Sequence, residues 1–193
     1  MRNVYIIIVT VVLFVSCNTS KKIIEIKQIK SEFPLQIWCN SDKNTIREID
    51  IPLTYEIYNY SKSEIKLRNC WYIYKNIKNF PKYWQTHIYP FLYENEQLLS
   101  TTNPMDRSII NANTMRKYVV YTRHFIDSAN VIQTMFKDEI ENMKLNNIDS
   151  LSYNTKNNNE LLQRLMYGDS ISFKIWVSEK NAAQWDSLPV EVK

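Results

Sequence analysis

The sequence predicts a mainly β protein, a β-sandwich with a helical insertion of two helices before the last strand. Three observations carry this expectation. Between Phe33 and Phe125, short stretches alternate apolar and polar residues with the period of two that a half-buried strand needs. At Asp127 the spacing lengthens to that of an amphipathic helix, and at Ile171 it returns to two. Pro34, Pro52, Pro81, Pro90 and Pro104 punctuate the β half, and residues that cannot donate to a ladder suit edges, bulges and loops better than a regular parallel sheet. Helices do not alternate with strands, so a doubly wound α/β fold is not expected.

The elements follow in order. Ile23 to Ile29 alternates around Ile24 and Ile26 and reads as an edge strand or extended lead-in. Leu35 to Cys39 alternates, Asn40 to Asn44 is a turn cluster, and Ile49 to Tyr58 places Ile51, Leu53, Tyr55 and Ile57 on one face. After the polar turn Asn59 to Ser63, Glu64 to Trp71 resumes with Ile65 and Leu67 on one side. His87 to Glu94 and Gln97 to Leu99 read as a hairpin around Glu94-Asn95-Glu96. Ser108 to Ile110 begins another strand, and Met115 to Phe125 sets Tyr118, Val120 and Thr122 against Val119, Tyr121 and Arg123.

Val131, Ile132, Met135, Phe136, Ile140 and Met143 then share a helical stripe, predicting a helix over 128–146 capped by Asp127 or Ser128 and stopped at Asn146-Asn147. A second helix is expected over 158–167, with Leu161, Leu162, Leu165 and Met166 as its stripe. Gly168, the chain's one glycine, stands where a left-handed C′ residue is wanted. Ile171, Phe173, Ile175 and Val177 alternate as the last strand, ahead of a polar tail.

The N-terminus sets the organisation of the whole chain. Arg2 precedes an apolar run from Val4 to Val15, broken at Thr10, and small Ser16 precedes Cys17. About 12 apolar residues suit a secretory signal and fall short of the ~20 that span a bilayer. We therefore expect residues 1–16 to be a signal peptide, 17–22 a tether, and 23–193 one domain.

Twelve of the chain's thirteen Tyr and all five Trp fall in that domain and place it among packed proteins. A single glycine excludes phosphate-cradling loops, dinucleotide fingerprints and nucleophile elbows in their usual form. The net charge of +4 comes from Lys and Arg scattered among acids, with no basic stretch of the kind nucleic acid requires. His87 and His124 have neither metal-ligand spacing nor a legible triad around them. No catalytic residues, no metal, no cofactor and no nucleic-acid partner are expected.

Phe14-Val15-Ser16-Cys17 resembles a bacterial lipobox, with Phe14 where Leu is usual. The resemblance implies a diacylglycerol-modified Cys17 at the mature N-terminus, an outer-membrane lipoprotein held to the membrane by its fatty chains. Lys21-Lys22 replaces the acidic cluster that follows the cysteine of some surface-exported lipoproteins, which points to the periplasmic face. With Cys17 acylated, Cys39 and Cys70 remain, either as a disulfide or as two separate buried thiols. The passage Ile49 to Asn69, with its Leu-Thr-Tyr-Glu-Ile-Tyr-Asn-Tyr-Ser-Lys-Ser lettering, resembles the early strand pair of immunoglobulin-like sandwich domains in bacterial lipoproteins. That resemblance implies a fold and no activity.

Two further patterns bear on function. Trp71, Tyr74, Trp84 and Tyr89 could form a surface that stacks on sugar rings, or could be cross-strand packing. Asp-Ser-aliphatic tripeptides at Ser128, Ser150, Ser170 and Ser187 resemble acceptor sites of an O-glycosylation system for exported proteins, or serve as turn and cap residues. The expected function is a non-catalytic envelope lipoprotein that binds or assembles with a protein partner. The alternative is a glycan-binding accessory lipoprotein of a polysaccharide-uptake system.

Overall fold

The computed structural model of the chain describes residues 23–75, 84–102, 105–127, 131–154, 165–177 and 184–191. Its strands are β1 (Ile24–Ile29), β2 (Leu35–Cys39), β3 (Ile46–Asn59), β4 (Ile65–Tyr74), β5 (Trp84–Ile88), β6 (Phe91–Glu94), β7 (Gln97–Ser100), β8 (Ile109–Ile110) and β9 (Thr114–Phe125). Helices α1 (Ile132–Met135) and α2 (Lys137–Leu145) follow, then β10 (Ser150–Tyr153), β11 (Ser170–Val177) and β12 (Gln184–Glu191). The fold is mainly β, in two antiparallel sheets.

The first sheet runs β10-β2-β3-β9-β6-β7, with β1 also on β3. β3 is its spine. One side pairs with the whole of β9, from Glu48↔Phe125 to Asn59↔Thr114. The other side is shared: β2 covers Ile46 to Asp50 and β1 covers Thr54 to Asn59. Pro52 sits in the gap between those two partners, so its missing N–H costs no ladder bond, and a proline becomes tolerable in a central strand.

The second sheet runs β12-β11-β4-β5, with β8 on the far end of β4. The inward faces of both sheets form one apolar core, in which Ile37, Ile49, Ile57, Leu67, Phe173 and Ile175 are fully buried. Rings cross between the sheets: Tyr55 of β3 meets Phe173 of β11, and Tyr72 and Tyr74 of β4 meet His124 of β9.

Four features differ from expectation. The strand read from His87 to Glu94 breaks at Tyr89-Pro90, where the chain leaves β5 in the second sheet and enters β6 in the first. The β6–β7 hairpin itself forms as expected, with Asn95 and Glu96 both at positive φ in a two-residue turn. The first helix is broken at Phe136, which leaves helical dihedrals at φ −109°, ψ 27° and buries its ring against Tyr153 of β10.

The third difference is β10 itself, a short strand inside the insertion that pairs with β2. Last, β11 is not the final strand: the tail read as polar forms β12, paired with β11 from Ser170↔Glu191 to Val177↔Gln184. The helix expected over 158–167 lies mostly outside the described residues. Leu165 and Met166 are helical, and Gly168 follows at φ +80°.

Candidate functional site

Asp50 stands between inward Ile49 and Ile51, and Arg123 between inward Thr122 and His124, so both point away from the shared core, directly opposite one another in the β3–β9 register. Arg123 Nε and Nη2 donate to the two carboxylate oxygens of Asp50 at 2.8 and 3.0 Å, and the Trp38 indole N–H donates to the same carboxylate at 3.1 Å. Glu48, two residues before Asp50 on the same face, is nearly buried and lies 3.6 Å from Arg123 Nη1 and 3.0 Å from Arg47 Nη2. Two acids and two guanidiniums make a charge-balanced network. The Asp50 contact also holds the Arg123 guanidinium above its already high pKa, against a smaller opposing effect of burial.

This pair forms part of an open cleft of about 390 Å³ between the end of β9 and β5. Tyr121 and Phe125 supply aromatic surface, Ile88 and Tyr74 an apolar side, and Thr86 a hydroxyl. Phe125 is half exposed, and the Phe91 ring braces Tyr121 edge-on with centroids 6.3 Å apart. Held polar groups beside open rings can recognise a segment of a partner or a sugar. Among the described residues no group of three metal-ligating side chains converges.

Behind the cleft the inward face of β9 is buried. His124 is buried beneath the rings of Tyr72 and Tyr74, and Thr122 Oγ1 lies 3.1 Å from its Nε2. Burial pushes the imidazole pKa down to about 4, although nearby Asp50 pulls the other way. Asp169, just before β11, is also buried. Its carboxylate accepts the Tyr72 hydroxyl at 2.9 Å and the Lys75 N–H at 2.8 Å, and burial raises its pKa.

The expected site residues are scattered. Cys17 and Ser128 lie outside the described residues. Cys39 and Cys70 do not pair: Cys39 ends β2 in the first sheet with its Sγ 3.7 Å from Met143 Sδ, whereas Cys70 lies within β4 of the second sheet, bonded to the Ile88 carbonyl. Burial raises the pKa of both thiols.

Trp71 and Tyr74 do not share a surface, because residues three apart on a strand point to opposite faces. Tyr74 is buried in the core side, and Trp71 packs against His87 on the other. Trp84 is placed only by its backbone, opposite Tyr74 in the β4–β5 register, and Tyr89 is exposed in the turn that follows. Of the Asp-Ser tripeptides, Asp149 is open to solvent beside partly buried Ser150, while Asp169 beside Ser170 is locked inside. Ser187 is known by its backbone in β12, opposite Lys174.

Asp50, Tyr121, Arg123 and Phe125 were not singled out from sequence. The available signal was weak: charged residues at the polar positions of two long strands, whose juxtaposition depends on a pairing across 73 residues. No protein-family model matches the chain, and no curated protein is significantly similar to it.

Proposed function

We propose that this chain is a lipid-anchored, non-catalytic protein of the bacterial outer membrane, acylated at Cys17 and facing the periplasm, whose domain binds or assembles with a protein partner of the envelope. The observation that carries the reading is the polarity of the domain. The chain enters at Ile23 beside the Asn59 end of β3, and the cleft lies at the Asp50 end, about 30 Å away at the ~3.3 Å rise of a strand residue. An anchored module presenting a partner site needs that site away from its tether.

An immunoglobulin-like sandwich is the finer fold in this proposal. The sheet orders support it: β1/β2, β3, β9 and β6 follow the A-B-E-D order, and β12, β11, β4 and β5 follow G-F-C-C′. The insertion then falls between strands E and F. The Tyr55–Phe173 contact joins strands B and F, which a disulfide links in antibody domains.

Two experiments test the function. Labelled palmitate should enter the wild type, and Cys17→Ala should lose both label and membrane fractionation; an unlabelled wild type overturns the anchor. A photo-crosslinker at position 121 in intact cells should give a discrete adduct that Arg123→Ala abolishes, and absence of any adduct counts against the partner site.

A glycan-binding role is the second reading, favoured by open Tyr121 and Phe125 rings beside the fixed Asp50–Arg123 pair and the Thr86 hydroxyl. Retardation of the domain in polysaccharide gels, lost in Tyr121→Ala, would support it. If the exported protein is O-glycosylated, Ser150 is the better acceptor than Ser170, since its preceding aspartate is open to an enzyme.

A further inference from the structure

The end of the domain at which the chain enters has a surface of its own. The Ile23 carbonyl accepts the Tyr60 N–H at 2.8 Å, which fixes the entering chain against the turn after β3. Tyr60 is 52% exposed, Met115 41% and Ile23 39%. Tyr58 stacks on Tyr60 with centroids 6.0 Å apart and planes 10° from parallel, and it stands opposite Met115 in the β3–β9 register. These four side chains therefore form one continuous rim. The Tyr60 hydroxyl donates to Glu25 at 3.1 Å and the Tyr58 hydroxyl to Glu56 at 2.9 Å, so each ring has an apolar body and a fixed polar tip. Tyrosines of this character are enriched where a bilayer meets water.

We infer that the rim of Ile23, Tyr58, Tyr60 and Met115 docks on the headgroup region of the bilayer that holds the acylated Cys17, an inference that rests on the anchor proposed above. Chain length selects this occupant. Six residue steps separate Cys17 from Ile23, so even a fully extended tether reaches only about 20 Å. The rim is the part of the domain joined directly to that short tether. Linkage also keeps the rim at a high effective concentration over the bilayer, so a contact too weak to retain a free protein is enough to orient an anchored one. Lys21 and Lys22 add attraction for anionic headgroups, while Glu25 and Glu56 on the rim oppose a contact driven by charge alone. The docking is therefore chiefly aromatic and apolar, and little affected by salt.

Spin labels on the full-length lipoprotein test it, in vesicles of phosphatidylethanolamine with a minor fraction of phosphatidylglycerol. Cys39 and Cys70 are buried and Cys17 is acylated, so Tyr60→Cys, Met115→Cys and Leu145→Cys each offer one open thiol. Leu145 is 85% exposed at the opposite end and serves as the aqueous reference. Labels at 60 and 115 should lose accessibility to a water-soluble relaxation agent several-fold relative to 145 and gain it to oxygen, in low and in high salt alike. Equal aqueous accessibility at all three positions, in protein that floats with the vesicles, overturns the docking and leaves the anchor standing. Shielding from the aqueous agent without a gain for oxygen overturns it in favour of a second protein copy on the rim. Protein that does not float with the vesicles overturns the anchor and the docking together.

Discussion

Tyr55 and Phe173 meet edge to face across the two sheets, their ring centroids 4.9 Å apart and their planes at 72°. Both are completely buried, yet they should respond to substitution in opposite directions. Phe173→Ala opens a cavity between the sheets and should cost about 3–5 kcal/mol. The Tyr55 hydroxyl has no hydrogen-bond partner among the described residues, so Tyr55→Phe removes a desolvated polar group and keeps the ring contact. It should be neutral or stabilise by up to about 1 kcal/mol. Urea midpoints of the three proteins check both signs.

Strands β2 and β11 are legible because alternation needs no tertiary context. Leu35 to Cys39 and Ile171 to Val177 expose every second residue to the core, and their faces follow from the pleat. What the sequence hid depends on pairing. β12 carries Pro189 and mixed polarity, and becomes a strand because β11 offers it a complete edge. β10 has only four residues, and its partner β2 lies more than a hundred positions earlier. The break at Phe136 was invisible because that residue fits the helical stripe, and the reason to leave the helix is a ring on β10.

His124 should make the fold sensitive to mild acid. Burial holds its pKa at about 4, whereas an unfolded histidine titrates at about 6.5. Between those values the unfolded chain binds the extra proton, so stability falls as the pH drops through the window. The loss should reach about 3 kcal/mol by the lower end. Asp169 acts oppositely at low pH, because its raised pKa lets the folded state hold a proton more readily. Comparing the wild type with His124→Gln isolates the imidazole: unfolding free energies at pH 7 and pH 4.5 should diverge less in the variant. An unchanged difference would mean that the imidazole is charged or solvated in the fold.

Asp169 fastens the turn before β11 to the end of β4. Of its two hydrogen bonds, the one from the Tyr72 hydroxyl is buried and the one from the Lys75 backbone is partly so. Asp169→Ala should therefore cost about 2 kcal/mol, since a buried hydroxyl and a partly buried N–H lose their acceptor. Asp149→Ala, at the matching position of another Asp-Ser tripeptide, should stay within about 0.5 kcal/mol because Asp149 is open to solvent. A double-mutant cycle with Tyr72→Phe should return a coupling of about 1–2 kcal/mol for the hydroxyl–carboxylate pair. Near-zero coupling would assign the loss to the backbone bond alone.

The cleft was less legible than the strands, because it gathers residues from β3, β4, β5 and β9. That Trp71 and Tyr74 do not share a surface follows from their separation of three, which sets them on opposite faces of a strand. The Asp50–Arg123 pair, by contrast, required the β3–β9 register. Arg123→Ala strips the counter-charge from buried Asp50 and Glu48 and should destabilise by about 2 kcal/mol. Arg123→Lys should recover only part of this, because an ammonium cannot make the two-pronged contact. Full recovery by lysine would show that charge alone matters here.

Gly168 joins sequence to geometry most directly. Its φ of +80° lies in the region that side chains disfavour, and the Asp169 N–H closes the preceding turn on the Met166 carbonyl at 2.9 Å. A Cβ at this position would come within 2.5 Å of Lys75 Cδ, but that atom belongs to a flexible side chain that can swing away. Backbone strain should therefore dominate, and Gly168→Ala should cost about 1–2 kcal/mol. Gly168→Asn should cost less, because Asn visits left-handed backbone more readily. Adding Lys75→Ala to Gly168→Ala separates the two causes in thermal or urea unfolding. If the loss is conformational the double variant recovers nothing, whereas recovery to near wild-type stability would make the lysine clash the cause.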